Sequence, residues 1–153
     1  MKTSLIVLLL FSSLHGLSQT RHQIDSVFQK DKQYTLAELR FDFDKATIRP
    51  ECFPLLDSVA AYILMDDSTV FEVQNHRDTR GSDMYGSNIT QRRAQAVADY
   101  LVTKGVEKFR LIAKGYGETR PLYTDAEINS KKTKEEQELL HQKNRRTVIV
   151  LVR

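Results

Sequence analysis

The clearest pattern of apolar and polar positions lies in the middle of the chain, over residues 70–101. It begins with Phe71 and Val73 alternating with polar residues, which predicts a β-strand. The segment that follows is polar and contains Gly81 and Gly86. Because glycines in a polar stretch are typical of turns, this segment is predicted to be a loop.

The second half of the same stretch has helical periodicity. Its apolar side chains recur with spacing i, i+3, i+4, i+7, at Ala94, Val97, Ala98 and Leu101. Thr90 is a suitable N-cap, and Lys104-Gly105 supplies a cation followed by a glycine at the C′ position. The sequence therefore predicts a helix that begins near Thr90 and ends at Lys104-Gly105.

Two charged residues in this stretch are candidates for a binding site. Asp78 comes just after the predicted strand, where side chains commonly face a ligand. Arg93 falls in the first turn of the predicted helix and four residues before Val97, so it is expected at the edge of the buried face. Free backbone N–H groups and a guanidinium would together bind an anion there. The alternative, that Arg93 pairs internally with Asp78 or another acid, stays open.

The remaining elements follow from the same patterns. Strands are predicted over 36–43 and 109–116, helices between Pro50 and Met65 and over 135–141, and a final strand over 144–152. The last strand is a continuous apolar run, which is typical of a strand covered on both faces. The order β-α-β-α-β-(α)-β predicts an α/β (α+β) sandwich in which helices pack on a mixed four-stranded sheet.

The N-terminus is predicted to be a secretory signal peptide over residues 1–18. Lys2 precedes a short apolar run, and Gly16-Leu17-Ser18 supplies small residues before a cleavage point near Gln19. An uncleaved anchor is the alternative. Residues 19–34 are then a polar leader and residues 35–153 the domain. Cys52, the single cysteine, lies far from the signal, so no lipoprotein-type cysteine follows it.

Composition narrows the classes of function. With 41% hydrophobic and 28% charged residues, the chain is ordinary for a globular protein. Its formal charge is +3, and removal of Lys2 with the signal leaves 3 − 1 = +2, which does not favour nucleic acid as a partner. The histidines lack metal-ligand spacing, and no nucleophile motif occurs. No enzyme activity, metal or cofactor is expected.

The central stretch resembles the signature of OmpA-like peptidoglycan-binding domains. That signature typically reads G-H-T-D, then a glycine, a tyrosine and R-A-x-x-V-x-x-Y-L; here Asp78 and Arg93 are separated by 93 − 78 = 15 residues, as in the family. The departures are Asn75 for glycine, Arg77 for threonine, Gly86 for asparagine and Thr90 for serine. Gly86 removes a side chain expected near the ligand, and Arg77 adds charge there.

Three further segments resemble the same family. They are LRFDFDKATIRPE from Leu39, GYGETRP from Gly115, and Asn144-Arg145-Arg146, where Thr147 replaces the usual valine. The resemblance thus spans roughly residues 36–152. It implies non-covalent binding of peptidoglycan in the periplasm, in association with the outer membrane or cell wall.

The resemblance also implies a site. Asp78 and Arg93 would grip the free end of diaminopimelate in the stem peptide, and the possible groove-lining residues are His76, Thr79, Tyr85, Asn144 and Arg145. Alternatively His76 is structural, and Asn144 and Arg145 tie loops together. Partners would be peptidoglycan and outer-membrane or other envelope proteins. A different class of function also stays open, namely a structural or assembly module with the same fold that binds a periplasmic protein.

Overall fold

The computed structural model describes residues 32–80 and 83–152, and within 83–87 it describes only the backbone. The expected signal peptide and all but the last residues of the leader lie outside these ranges, as does Gly81. The strands are β1 (Gln33–Thr35), β2 (Phe71–His76), β3 (Leu111–Gly117) and β4 (Thr147–Leu151). The α-helices are α1 (Phe53–Ile63), α2 (Asp83–Thr103), α3 (Asp125–Asn129) and α4 (Lys134–Asn144).

The four strands form one mixed sheet in the order β1-β4-β2-β3. β2 and β3 are parallel, whereas β4 is antiparallel to both β1 and β2. The predicted fold class, helices on a mixed four-stranded sheet, is confirmed. β4 is central, and its first residues, Thr147 to Ile149, are buried, but Val150 and Leu151 are only half-buried. The expectation that both of its faces are fully covered was therefore too strong for its C-terminal end.

The core lies between the sheet and the two longer helices that follow β1 and β2. Helix α2 packs on β2 and β3, and α1 packs on α2. The helical stripe read from the sequence, Ala94, Val97, Ala98 and Leu101, is buried as predicted. The predicted helix end is also confirmed. Gly105 has φ +98°, and the N–H groups of Gly105 and Val106 donate to Val102 and Leu101 in a Schellman motif.

The start of α2 was predicted wrongly. The helix begins at Asp83, seven residues before the expected N-cap Thr90, and it includes Gly86 rather than turning at it. Thr90 is buried inside the helix, where its hydroxyl accepts a 3.1 Å hydrogen bond from the Gly117 N–H of β3. The threonine therefore joins the helix to the sheet instead of capping the helix.

Other boundaries also differ from the predictions. The first strand is Gln33–Thr35 rather than 36–43, and only the isolated bridge Phe41–Ile48 is extended in the predicted region. β1 thus includes two residues assigned to the leader. Helix α3, with a capping box formed by Thr124 and Glu127, was not predicted, whereas α4 was. Among the described residues, no helix is long and apolar enough to span a bilayer.

Candidate functional site

A groove of about 770 Å³ opens where β2 ends and β4 begins. The loop after β1, the segment after β2, one side of α2 and the connection from α4 to β4 all contribute to its wall. Asp78 and Arg93, the pair singled out in the sequence, both line it. Its other charged lining residues are Arg40, Asp42, Asp44, Arg80, Arg145 and Arg146.

Asp78 is almost fully buried, with 6% of its surface exposed, and is held by two arginines. Its Oδ2 accepts hydrogen bonds from Arg80 at 3.0 and 2.7 Å and from Arg145 at 2.5 Å. Burial alone would raise the pKa of the Asp78 carboxyl, but the hydrogen bonds from Arg80 and Arg145 outweigh it and lower that pKa. Asp78 is therefore a carboxylate at neutral pH.

The two arginines are joined on their other side by Glu138 of α4. Arg80 donates to Glu138 Oε2 at 2.8 Å, and Arg145 donates to Oε1 at 2.8 Å. Hydrogen bonds from Arg80 and then Arg145 lower the pKa of Glu138 to about 2. Asp78, Arg80, Glu138 and Arg145 thus form a closed ring of four alternating charges, which we call the ion-pair ring. His141 lies beside it, with Nδ1 3.8 Å from Asp78 Oδ2.

Arg93 has quite different surroundings. Its Nε donates to the main-chain oxygen of Lys45 at 2.9 Å, and its guanidinium carbon lies 5.0 Å from the ring centroid of Phe41. Arg93 is half-buried at the edge of the packed face of α2, as predicted. It lies 93 − 83 = 10 residues into the helix, however, so the expected anion site at a helix N-terminus is wrong.

His76 is buried and packs against Tyr116 and Gln74. Its ring stacks on Tyr116 with centroids 5.2 Å apart and an interplanar angle of 9°, and Nε2 lies 3.3 Å from Gln74 Oε1. Burial, followed by the charges of Arg146 and Arg120, lowers the pKa of His76 to about 4. His76 lines the groove, but its ring stacks on Tyr116 and its lowered pKa keeps it neutral, as in a packed histidine.

Of the other candidate site residues named from the sequence, some line the groove and some hold loops together. Arg145 lines the groove as part of the ion-pair ring. Asn144 is fully buried, and its amide bonds the main chain of Leu122 and Tyr123, which is the loop-tying arrangement. The Thr79 hydroxyl donates to Asp125. The side chain of Tyr85 lies outside the described part of the chain.

Arg77 was expected to add positive charge to the groove, but it does not. It donates to Glu118 at 2.5 Å, it is largely buried, and it is not a groove-lining residue. The charge that sequence reasoning missed is instead that of Arg80 and Glu138. Arg80 could have been identified from the sequence as a partner of Asp78, because a buried carboxylate needs a cation and Arg80 is only two residues away. Nothing local linked Glu138 to either residue.

Comparison with known proteins finds a family model and several relatives that match this chain. The model of the OmpA family matches residues 40–135, more than half of the chain. Outer membrane protein A of Escherichia fergusonii is 38% identical over 96 residues, covering 60% of this chain and 39% of that protein. Outer membrane porin F of Pseudomonas fluorescens is 37% identical over 89 residues, covering 58% and 27%. The chain therefore matches well under half the length of these two relatives.

Solved structures share the fold. The cell wall anchor of the T6SS from Pseudomonas aeruginosa superposes with a TM-score of 0.59 at 27% identity, covering 79% of this chain and 80% of that one. The peptidoglycan-associated lipoprotein from Burkholderia pseudomallei gives a TM-score of 0.60 at 24% identity, with 74% and 88% covered. At that identity the second similarity concerns the fold alone.

Proposed function

Because this chain belongs to the OmpA family, we propose that it binds peptidoglycan non-covalently through the diaminopimelate of the stem peptide. The observation that carries the proposal is that Asp78 and Arg93 line one groove. The name of one similar solved structure, the cell wall anchor of the T6SS from Pseudomonas aeruginosa, supports the same class of ligand. The protein acts by binding and not by catalysis, in the periplasm, where it tethers the envelope to the wall.

The ligand chemistry matches the two side chains. The free end of diaminopimelate carries one ammonium and one carboxylate. Asp78 is the partner for the ammonium, because its depressed pKa keeps it charged. Arg93 is the partner for the carboxylate, because a guanidinium offers a planar pair of donors that lysine does not have.

The ion-pair ring sets a condition on this mode of binding. Asp78 Oδ2 already accepts hydrogen bonds from Arg80 and Arg145, so an incoming ammonium has to replace one of them. Arg80 is the one that leaves, because its side chain is 50% exposed and water can solvate it. Arg145 stays in place and keeps the ring partly intact.

The same ring favours a second candidate function, a structural or assembly module. If the ring never opens, Asp78 is a structural carboxylate, and the groove binds a protein of the envelope instead of the wall. Phe43, which is 95% exposed and lines the groove, would then be an apolar contact for that protein. Outer-membrane and other envelope proteins are the partners that this candidate implies.

Sedimentation with insoluble sacculi separates the two candidates. The exported protein is expected to pellet with sacculi that contain diaminopimelate, and soluble stem peptide should release it. A matched stem peptide with lysine in place of diaminopimelate lacks the carboxylate that Arg93 pairs with. Leaving such a charge unpaired costs on the order of 2–5 kcal/mol, so binding should weaken at least about 30-fold.

Two results would contradict the proposal. Failure to pellet with any sacculi would remove peptidoglycan binding and leave the assembly module. Equal affinity for the two stem peptides would show that Arg93 does not bind the carboxylate, even if the wall is the ligand.

A further inference from the structure

The wall of the groove contains a pair of polar residues at the join of β2 and β4. Asn75 and Thr147 are directly opposed in the antiparallel pairing of these strands. Both are 4% exposed, and both line the groove. The OmpA-like pattern typically has glycine and valine at these two positions, so this chain has a polar pair where the pattern has none.

Half of the Asn75 amide has a partner and half does not. Nδ2 donates to the Thr147 hydroxyl at 2.8 Å, which holds the amide plane in one orientation. Oδ1 is buried and has no hydrogen-bond partner. An unsatisfied buried acceptor is destabilising, and native proteins rarely leave one unpaired. Asn75 lines the groove, so a molecule bound there can supply the donor that Oδ1 lacks.

We propose that Asn75 is a specificity-determining residue that accepts a hydrogen bond from a backbone N–H of the peptide bound in the groove. The inference rests on the proposed function and adds to it. In that scheme the ammonium pairs with Asp78, and the carboxylate, which has no hydrogen to donate, pairs with Arg93. A neutral amide oxygen is suited to the remaining kind of donor in a stem peptide, the N–H of a peptide bond.

Thr147 is then a positioning residue. Its hydroxyl accepts from Nδ2 and so presents Oδ1, rather than the amide nitrogen, as the free end of the side chain. Without the hydroxyl the amide can rotate about its terminal bond, and the groove would present a donor as often as an acceptor. Thr147→Val should therefore weaken the same contact as a change at Asn75, but to a smaller extent.

Depsipeptide ligands test the contact directly. In these analogues of the stem peptide, one backbone N–H at a time is replaced by an ester oxygen. The exported protein should bind one analogue about two- to tenfold more weakly than the parent peptide, as expected for one hydrogen bond. Asn75→Ala should bind that analogue and the parent equally, because the acceptor is gone. Thr147→Val should retain only part of the preference.

The outcomes are distinct. If Asn75→Ala weakens the parent and every analogue by the same factor, Asn75 is only structural and the inference is wrong. The inference is also wrong if the wild type does not distinguish any analogue. If the wild type binds none of the peptides, the proposed function itself fails and this inference fails with it. Should Asn75→Ala not fold, Thr147→Val decides, since valine has the shape of threonine, and an undiminished preference in it overturns the inference.

Discussion

Asp78 and Arg93 line the same groove but are held in different ways. Asp78 is buried and bonded to two guanidinium groups, whereas Arg93 is half-buried and bonds a main-chain oxygen and an aromatic ring. The resemblance to known domains named both residues, but it did not show what each contacts in the free protein. Those contacts determine how a ligand would enter, and they give two predictions at this scale.

Arg93→Ala should weaken stem-peptide binding by about ten- to a hundredfold, the effect of losing a hydrogen bond to a charged group. It should also cost roughly 1 kcal/mol of unfolding free energy, because the bond to Lys45 and the contact with Phe41 are lost. Calorimetric titration and urea unfolding measure the two effects. The matched control is Arg92→Ala, which removes an exposed arginine from the same helix. Equal loss of affinity in the two variants would argue against a specific role for Arg93.

Arg80→Gln should strengthen binding of the diaminopimelate peptide. Arg80 competes with the ammonium for Asp78 Oδ2, and because the Arg80 side chain is 50% exposed and water can solvate it, the pair is worth about 1 kcal/mol or less. The expected gain is therefore up to about fivefold, and it should shrink at high salt. Arg92→Gln controls for the general loss of one positive charge. Weaker binding by Arg80→Gln would mean that Arg80 contacts the ligand rather than blocking it.

At the scale of elements, α2 and β3 approach each other closely at Gly115. A Cβ at Gly115 would lie 2.2 Å from the backbone nitrogen of Gln91. The Gln91 side chain also accepts from the Gly115 N–H at 2.8 Å and donates to the Ala113 carbonyl at 3.1 Å. Because β3 is an edge strand, these bonds satisfy backbone groups that would otherwise be exposed.

Gly115→Ala should lower the free energy of unfolding by about 1–3 kcal/mol, since α2 has to move away from β3 to admit the methyl group. Urea unfolding measures the change. Gly105→Ala is the comparison, because nothing lies within 4 Å of its Cβ position and only the φ of +98° opposes alanine. Its cost should be about 1–2 kcal/mol, from backbone strain alone. A negligible effect of Gly115→Ala would show that the helix yields easily.

At the scale of the whole molecule, acid stability should depend on the buried His76. Its pKa is about 4 in the folded protein, against an ordinary value of 6.5. Between these values the unfolded chain binds a proton that the folded chain does not, so stability should fall as pH drops from 6.5 to 4. The loss should reach about 3 kcal/mol at most, at 1.4 kcal/mol per pKa unit.

Denaturant unfolding at several pH values measures this loss. In His76→Gln the slope between pH 6.5 and 4 should be smaller, because the group that titrates is absent. The lowered pKa values of Asp78 and Glu138 make stability fall as pH drops through the ordinary carboxyl pKa values of 3.8 and 4.5, so their contribution overlaps with that of His76 only at the acid end of this range. An unchanged slope in His76→Gln would assign the acid sensitivity to another group.

The sequence by itself determined the order of the four strands and of α1, α2 and α4, the buried stripe of α2 and its end at Gly105. Each of these depends on local information: periodic apolar side chains select the buried face, and a residue at positive φ favours glycine. Through its resemblance to a family, the sequence also predicted that Asp78 and Arg93 lie in one site. Both residues do line one groove.

Only the tertiary structure decided where α2 begins. Locally, Gly86 disfavours a helix by about 1 kcal/mol relative to alanine, and the segment before Thr90 has no apolar repeat. The turns after it are packed on the sheet, so the helix is already nucleated and extends back to Asp83 at little further cost. Thr90 could not be recognised as an internal residue, because its partner, the Gly117 N–H, is 27 residues away in the chain.

The ion-pair ring was likewise decided only by the tertiary structure. Glu138 is 58 residues from Arg80 and Asp78 is 67 residues from Arg145. Charged residues separated by such distances have no local pattern that pairs them. Folding buries Asp78, and burial makes the carboxylate require cations. The sequence therefore predicted which residues bind a ligand, whereas the fold decided that two of them, Asp78 and Arg145, pair with one another.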